Sequence, residues 1–115
     1  MIALLLLTTL AARADTLELE LIRPDGRSFA YQRLDQPVDG QQLIIPDGDK
    51  AWSALVSRHE YEGRLKVCVD LSRWVADGVH SSVTRPCLTL DGPESPEATV
   101  FTRSDDLHVR MTLKR

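Results

Sequence analysis

Two cysteines, three histidines and a scatter of carboxylates are the residues of this 115-residue chain that could do chemistry, and their spacing decides which kind. Cys68 and Cys87 stand too far apart for a Cys-x-x-Cys redox motif, and no helix start lies beside either to lower a thiol pKa. A structural disulfide is therefore expected. His59-Glu60-Tyr61-Glu62-Gly63 opens like a zinc-protease helix, but Gly63 occupies the place of the second histidine that the motif requires. His59, His80 and His108 are far apart, so a metal site would need the fold to gather them. Asp47-Gly48-Asp49 begins like a calcium loop, yet the remaining ligand series and the closing glutamate are missing. No Gly-x-Ser-x-Gly elbow occurs, Ser81 and Ser82 have no evident base, and nothing selects one pair of carboxylates for glycoside cleavage. The sequence thus assigns no catalytic, metal-binding or cofactor-binding residue.

The elements that carry the cysteines are more informative. In Leu65-Lys66-Val67-Cys68-Val69-Asp70-Leu71 apolar and polar residues alternate, the pattern of a half-buried strand. That parity puts Leu65, Val67, Val69 and Leu71 inward and Cys68 outward with Lys66 and Asp70. In Pro86-Cys87-Leu88-Thr89-Leu90 the inward residues are Leu88 and Leu90, so Cys87 is expected to face out as well. Pairing Cys68 with Cys87 across antiparallel strands sets Val67 opposite Leu88, Leu65 opposite Leu90 and Asp70 opposite Arg85. Pro86 cannot donate to a ladder, so regular pairing is expected to start at Cys87 or to leave Pro86 on an open edge.

The same period of two recurs along the chain. Leu17, Leu19 and Leu21 alternate with Glu18 and Glu20 before the turn Arg23-Pro24-Asp25-Gly26. Strands are expected at 27–34, 42–45 and 98–102, and at the end, where Leu107, Val109, Met111 and Leu113 share one face. Residues 50–60 fit two readings. Trp52, Leu55, Val56 and His59 lie on one helical face, whereas the turn Tyr61-Glu62-Gly63 makes the segment the hairpin partner of the strand from Leu65, and the strand is preferred. Seven or eight short strands with turns between them indicate an all-β fold, a small antiparallel β-sandwich with an immunoglobulin-like outline.

Residues 1–14 read differently from the rest. An apolar run from Ile2 to Leu7, then Ala12-Arg13-Ala14 before Asp15, has the form of a secretory signal peptide cleaved after Ala14, although basic residues ahead of the run are missing. The run is too short to span a bilayer, for which about 20 residues are needed. Residues 15–115 form a single domain. Loss of Arg13 leaves 13 Lys and Arg against 17 Asp and Glu, a net charge of −4, with positive residues scattered among acids. Nucleic acid is therefore not an expected partner.

A periplasmic or secreted location follows, and with it a disulfide that can persist. Between the cysteines, Ser72-Arg73-Trp74-Val75-Ala76-Asp77-Gly78-Val79-His80 is expected to form a long loop held at its base. Arg and Trp are enriched among interface anchors, which makes Arg73, Trp74, Asp77 and His80 the candidate partner-binding residues. The plainer role for Trp74 and Val75 is to fold back over the sandwich, since a domain with few aromatics can ill spare a tryptophan. The expected function is an exported, non-enzymatic module that binds another protein, such as an inhibitor, an immunity-type protein or an accessory subunit of an envelope assembly. Two other classes make distinct demands. A small hydrolase acting on envelope material needs a pocket where Asp47, Asp49, Glu60, Glu62 or a histidine converge, and a metal or small-ligand carrier needs two histidines at one site.

Overall fold

A computed structural model describes residues 15–74, 80–92 and 95–115. Nine strands are found there: β1 (Thr16–Ile22), β2 (Ser28–Asp35), β3 (Gln42–Asp47), β4 (Lys50–Tyr61), β5 (Arg64–Trp74), β6 (His80–Thr84), β7 (Cys87–Asp91), β8 (Glu97–Arg103) and β9 (His108–Lys114). They form two antiparallel sheets packed face to face. One runs β2-β1-β9-β8; the other runs β3-β4-β5-β6, with β7 also on β5. The described residues contain no helix long and apolar enough to cross a membrane.

Alternation builds the core. Leu17, Leu19 and Leu21 of β1 and Val109, Met111 and Leu113 of β9 point inward from the first sheet, all without solvent contact. Trp52, Ala54 and Val56 of β4, Leu65, Val67, Val69 and Leu71 of β5, and Leu88 and Leu90 of β7 meet them from the second. Each buried aliphatic side chain of this kind contributes about 1.5–3 kcal/mol relative to exposure, so the inward rows stabilise the sandwich. Residues 50–60 are strand: Trp52 and Val56 of the supposed helical face are buried, but Leu55 and His59 are exposed, which a single helix face would not allow. The hairpin that follows turns on Glu62 (φ 50°) and Gly63 (φ 79°), with Tyr61 opposite Arg64. Positive φ at both central residues matches the right-handed twist of the flanking strands.

Around the cysteines the expected register is present. Cys68 is opposite Cys87, Val67 opposite Leu88 and Leu65 opposite Leu90, and Cys68 and Cys87 are joined by a disulfide, with their Cα atoms 4.1 Å apart. Three details differ from the sequence expectation. Cys68 occupies an outward position but is only 3% exposed, because β5 is flanked by β4 and β7 and the bridge covers the sulfur; Cys87 is exposed. Thr84 stands opposite Leu71, so the count runs unbroken through Arg85 and Pro86, but no ion pair joins Arg85 to Asp70. Asp70 instead accepts a hydrogen bond from Ser82 Oγ at 2.7 Å. Finally, the ends of the segment expected as a loop over 72–80 are strand: β5 continues to Trp74 and β6 starts at His80, while residues 75–79 lie outside the described residues. Pro86 divides what would be one strand into β6 and β7, with its carbonyl still accepting from the Val69 amide at 3.0 Å.

Candidate functional site

Extending β5 to Trp74 changes what its last residues can do. Neighbours on a strand point to opposite faces, so Arg73 and Trp74 serve different surfaces and cannot act as one anchor pair. Arg73 faces the inner side at the end of the sandwich, its guanidinium 5.5 Å over the ring of Trp52. Trp74 lies on the outer face of the five-stranded sheet and is 42% exposed, so it does not cap the core; Trp52, 3% exposed, lies in the core at that end. His80 stands opposite Trp74 in the β5–β6 ladder. Asp77, like Val75, falls outside the described residues.

Strand register places Trp74 within a set of outward residues. Pro46, Ala51 and Trp74 form one row across β3, β4 and β5; Ile44, Ser53 and Ser72 form the next; Leu55 and Asp70 follow Gln42 in the third. Ile44 is 52% exposed and Leu55 45% exposed, while Ser53 beneath them is buried and accepts a hydrogen bond from Gln42 Nε2 at 2.9 Å. Three large apolar groups therefore stand around a floor of Ala51, Ser53 and Ser72. Two strand spacings by four residues make this area roughly 10 Å by 13 Å. That is a small fraction of the ~800 Å² per partner of a standard interface, the size of an apolar centre rather than of a whole contact. Sequence reasoning missed Ile44 and Leu55. The available clue was parity, since Leu55 is an apolar residue out of phase with the inward series Trp52, Ala54 and Val56.

A second feature lies at one end of the sandwich, where an open cleft of about 430 Å³ is lined by Arg23, Phe29, Asp47, Trp52 and Arg73 and by Asp105 and Asp106. Asp47 is central to it. Its Oδ1 accepts from Arg23 Nη2 at 2.7 Å, and its Oδ2 accepts from the Trp52 indole N–H at 3.2 Å. The hydrogen bond from Arg23 holds the Asp47 carboxyl below its ordinary pKa, against the opposing effect of burial, with Trp52 and the charges of Arg23 and Lys50 helping. Arg23 itself stacks on Phe29 at 4.5 Å. The remaining acids named for a hydrolytic site, Asp49, Glu60 and Glu62, do not line this cleft.

The histidines do not gather. His59 is opposite Lys66 and His80 opposite Trp74, eight residues apart along β5 or about 26 Å. His108 lies on the other sheet, edge-on to Phe101. Among the described residues no group of three or more His, Cys, Asp and Glu side chains is placed to hold a metal ion. In comparisons with known proteins, no family model, curated protein or solved structure matches the chain.

Proposed function

We propose that this chain is an exported, non-enzymatic module that binds another protein through the outer face of its five-stranded sheet. The observation that carries the reading is the joint exposure of Ile44, Leu55 and Trp74 on one face of the sheet. Apolar and aromatic side chains fixed around small residues form a surface that a partner can desolvate without ordering a loop first. Gln42, Asp70 and Ser82 border it with polar groups, the arrangement of an interface centre and its rim. A disulfide in so small a domain suits an oxidising compartment, which supports a periplasmic or secreted location. The partner classes that fit are a toxin or enzyme to be inhibited, or a neighbouring subunit in an envelope assembly.

The cleft around Asp47 is a weaker basis for hydrolysis. A general acid needs a raised pKa near neutrality, and Asp47 is shifted the other way by Arg23. A metal carrier would need histidines closer than the ladder places them. The test is affinity capture from the cell envelope with the processed parent, with Leu55→Arg, and with Thr99→Arg on the outer face of the other sheet. One stoichiometric protein retained by the parent and Thr99→Arg but lost by Leu55→Arg is expected. Equal retention by all three, or turnover of an envelope polymer with no retained protein, would overturn the reading.

A further inference from the structure

We propose that the cleft at the Trp52 end binds a zwitterion of the amino-acid or short-peptide class, its carboxylate on Arg73 and its ammonium on the Asp105–Asp106 turn. The argument starts from which charges are already satisfied. Arg23 is paired with Asp47 at 2.7 Å, and Asp25 is 3.8 Å from Arg27. What remains along the cleft is one guanidinium, Arg73, and two carboxylates, Asp105 and Asp106. Among the described residues Arg73 makes no ion pair and no hydrogen bond through its guanidinium, and neither aspartate has an ion-pair partner; the two sets do not reach each other. Among the described residues no buried side-chain nitrogen lacks a partner, so the unpaired Arg73 nitrogens are solvent-accessible, and Arg73 lines the cleft.

The Arg73 guanidinium lies 5.5 Å over the Trp52 ring, a cation–π contact that uses none of its N–H groups and leaves them to bind a carboxylate. The turn that carries the two aspartates is closed by its own hydrogen bonds. Ser104 Oγ donates to the Leu107 carbonyl at 2.7 Å and accepts from its amide at 3.1 Å, closing the turn that carries Asp105 and Asp106. A simple anion would be attracted by Arg73 and repelled by the aspartates, and a simple cation the reverse. A ligand with both charges satisfies both sets. The volume, about 430 Å³, falls within the roughly 300–1,000 Å³ of small-ligand pockets. This site is separate from the sheet face that carries Trp74, so either reading can fail without the other.

The Trp52 indole N–H, hydrogen-bonded to Asp47 and lying under Arg73, is a built-in reporter. We would follow its NMR signal in the full domain during titration with glycine, glycylglycine, N-acetylglycine and glycinamide. Saturable shifts are expected for glycine, glycylglycine or both, the comparison showing whether a free amino acid or a peptide is preferred. N-acetylglycine and glycinamide should bind at least tenfold more weakly. Arg73→Gln should weaken the zwitterions at least tenfold. The double variant Asp105→Asn, Asp106→Asn, on an exposed turn that does not depend on Arg73 packing, should weaken the zwitterions and spare N-acetylglycine. No saturable shift with either zwitterion, equal binding of N-acetylglycine, or parent-like binding by the double variant would overturn the proposal.

Discussion

Replacing Cys68 and Cys87 together by alanine should cost the domain about 3 kcal/mol. The bridge closes a loop over a sequence separation of 19, and the chain-entropy relation for a loop of that length gives about 3 kcal/mol at 25 °C. The folded state should lose little else. The β5–β7 ladder keeps Val67 opposite Leu88 and Leu65 opposite Leu90, and all four side chains remain in the core without the sulfurs. The effect therefore acts chiefly on the unfolded chain, which becomes freer. For a domain of about 100 residues, 1 kcal/mol shifts Tm by about 4–8 °C, so a fall of about 12–24 °C is expected. Differential scanning calorimetry and urea unfolding of the parent and the double variant measure it directly, with far-ultraviolet circular dichroism to confirm that the variant folds at low temperature. A change in Tm of less than about 4 °C, with an unchanged urea midpoint, would refute the claim that the bridge constrains the unfolded chain.

Three further outcomes follow from the geometry. Leu19→Ala, which empties a fully buried position at the centre of β1, should destabilise by about 2–5 kcal/mol in urea titration, against about 1 kcal/mol or less for Thr99→Ala, which loses only an exposed cross-strand hydrogen bond to Thr112. Gly63→Ala meets no atom within 4 Å of the added Cβ, so its cost should be conformational alone, about 1–2 kcal/mol from placing alanine at φ 79°. The Asp47 carboxyl has a folded pKa below its ordinary 3.8, so its contribution is present above that value and lost as pH falls through the folded pKa. Asp47→Asn should therefore be less stable than the parent at pH 7, and the gap should close below about pH 4 in acid titrations followed by circular dichroism.

How far the fold could be read from the residues depended on parity. Leu17, Leu19 and Leu21, the series Leu65, Val67, Val69 and Leu71, and Val109 to Leu113 each place their apolar residues on one inward face, so alternation located their strands and the register between Cys68 and Cys87. Parity could not show where β5 stops. Ser72, Arg73 and Trp74 have no clear apolar rhythm, and their strand conformation comes from pairing with β4 and β6. The end cleft was illegible for a different reason: Arg23, Phe29, Asp47, Trp52, Arg73 and the Asp105–Asp106 turn come from separate segments that only the strand order brings together. Nor does a local pattern decide whether an outward cysteine is covered, since Cys68 is buried by strands on both sides.

The docking claim is tested most directly by titration calorimetry of the captured partner against the parent and Leu55→Arg. A charge placed among Ile44, Leu55 and Trp74 should remove at least about 2 kcal/mol of binding, the scale of an interface anchor, which is roughly thirtyfold in Kd. Affinity within about threefold of the parent would place the contact elsewhere and contradict the account.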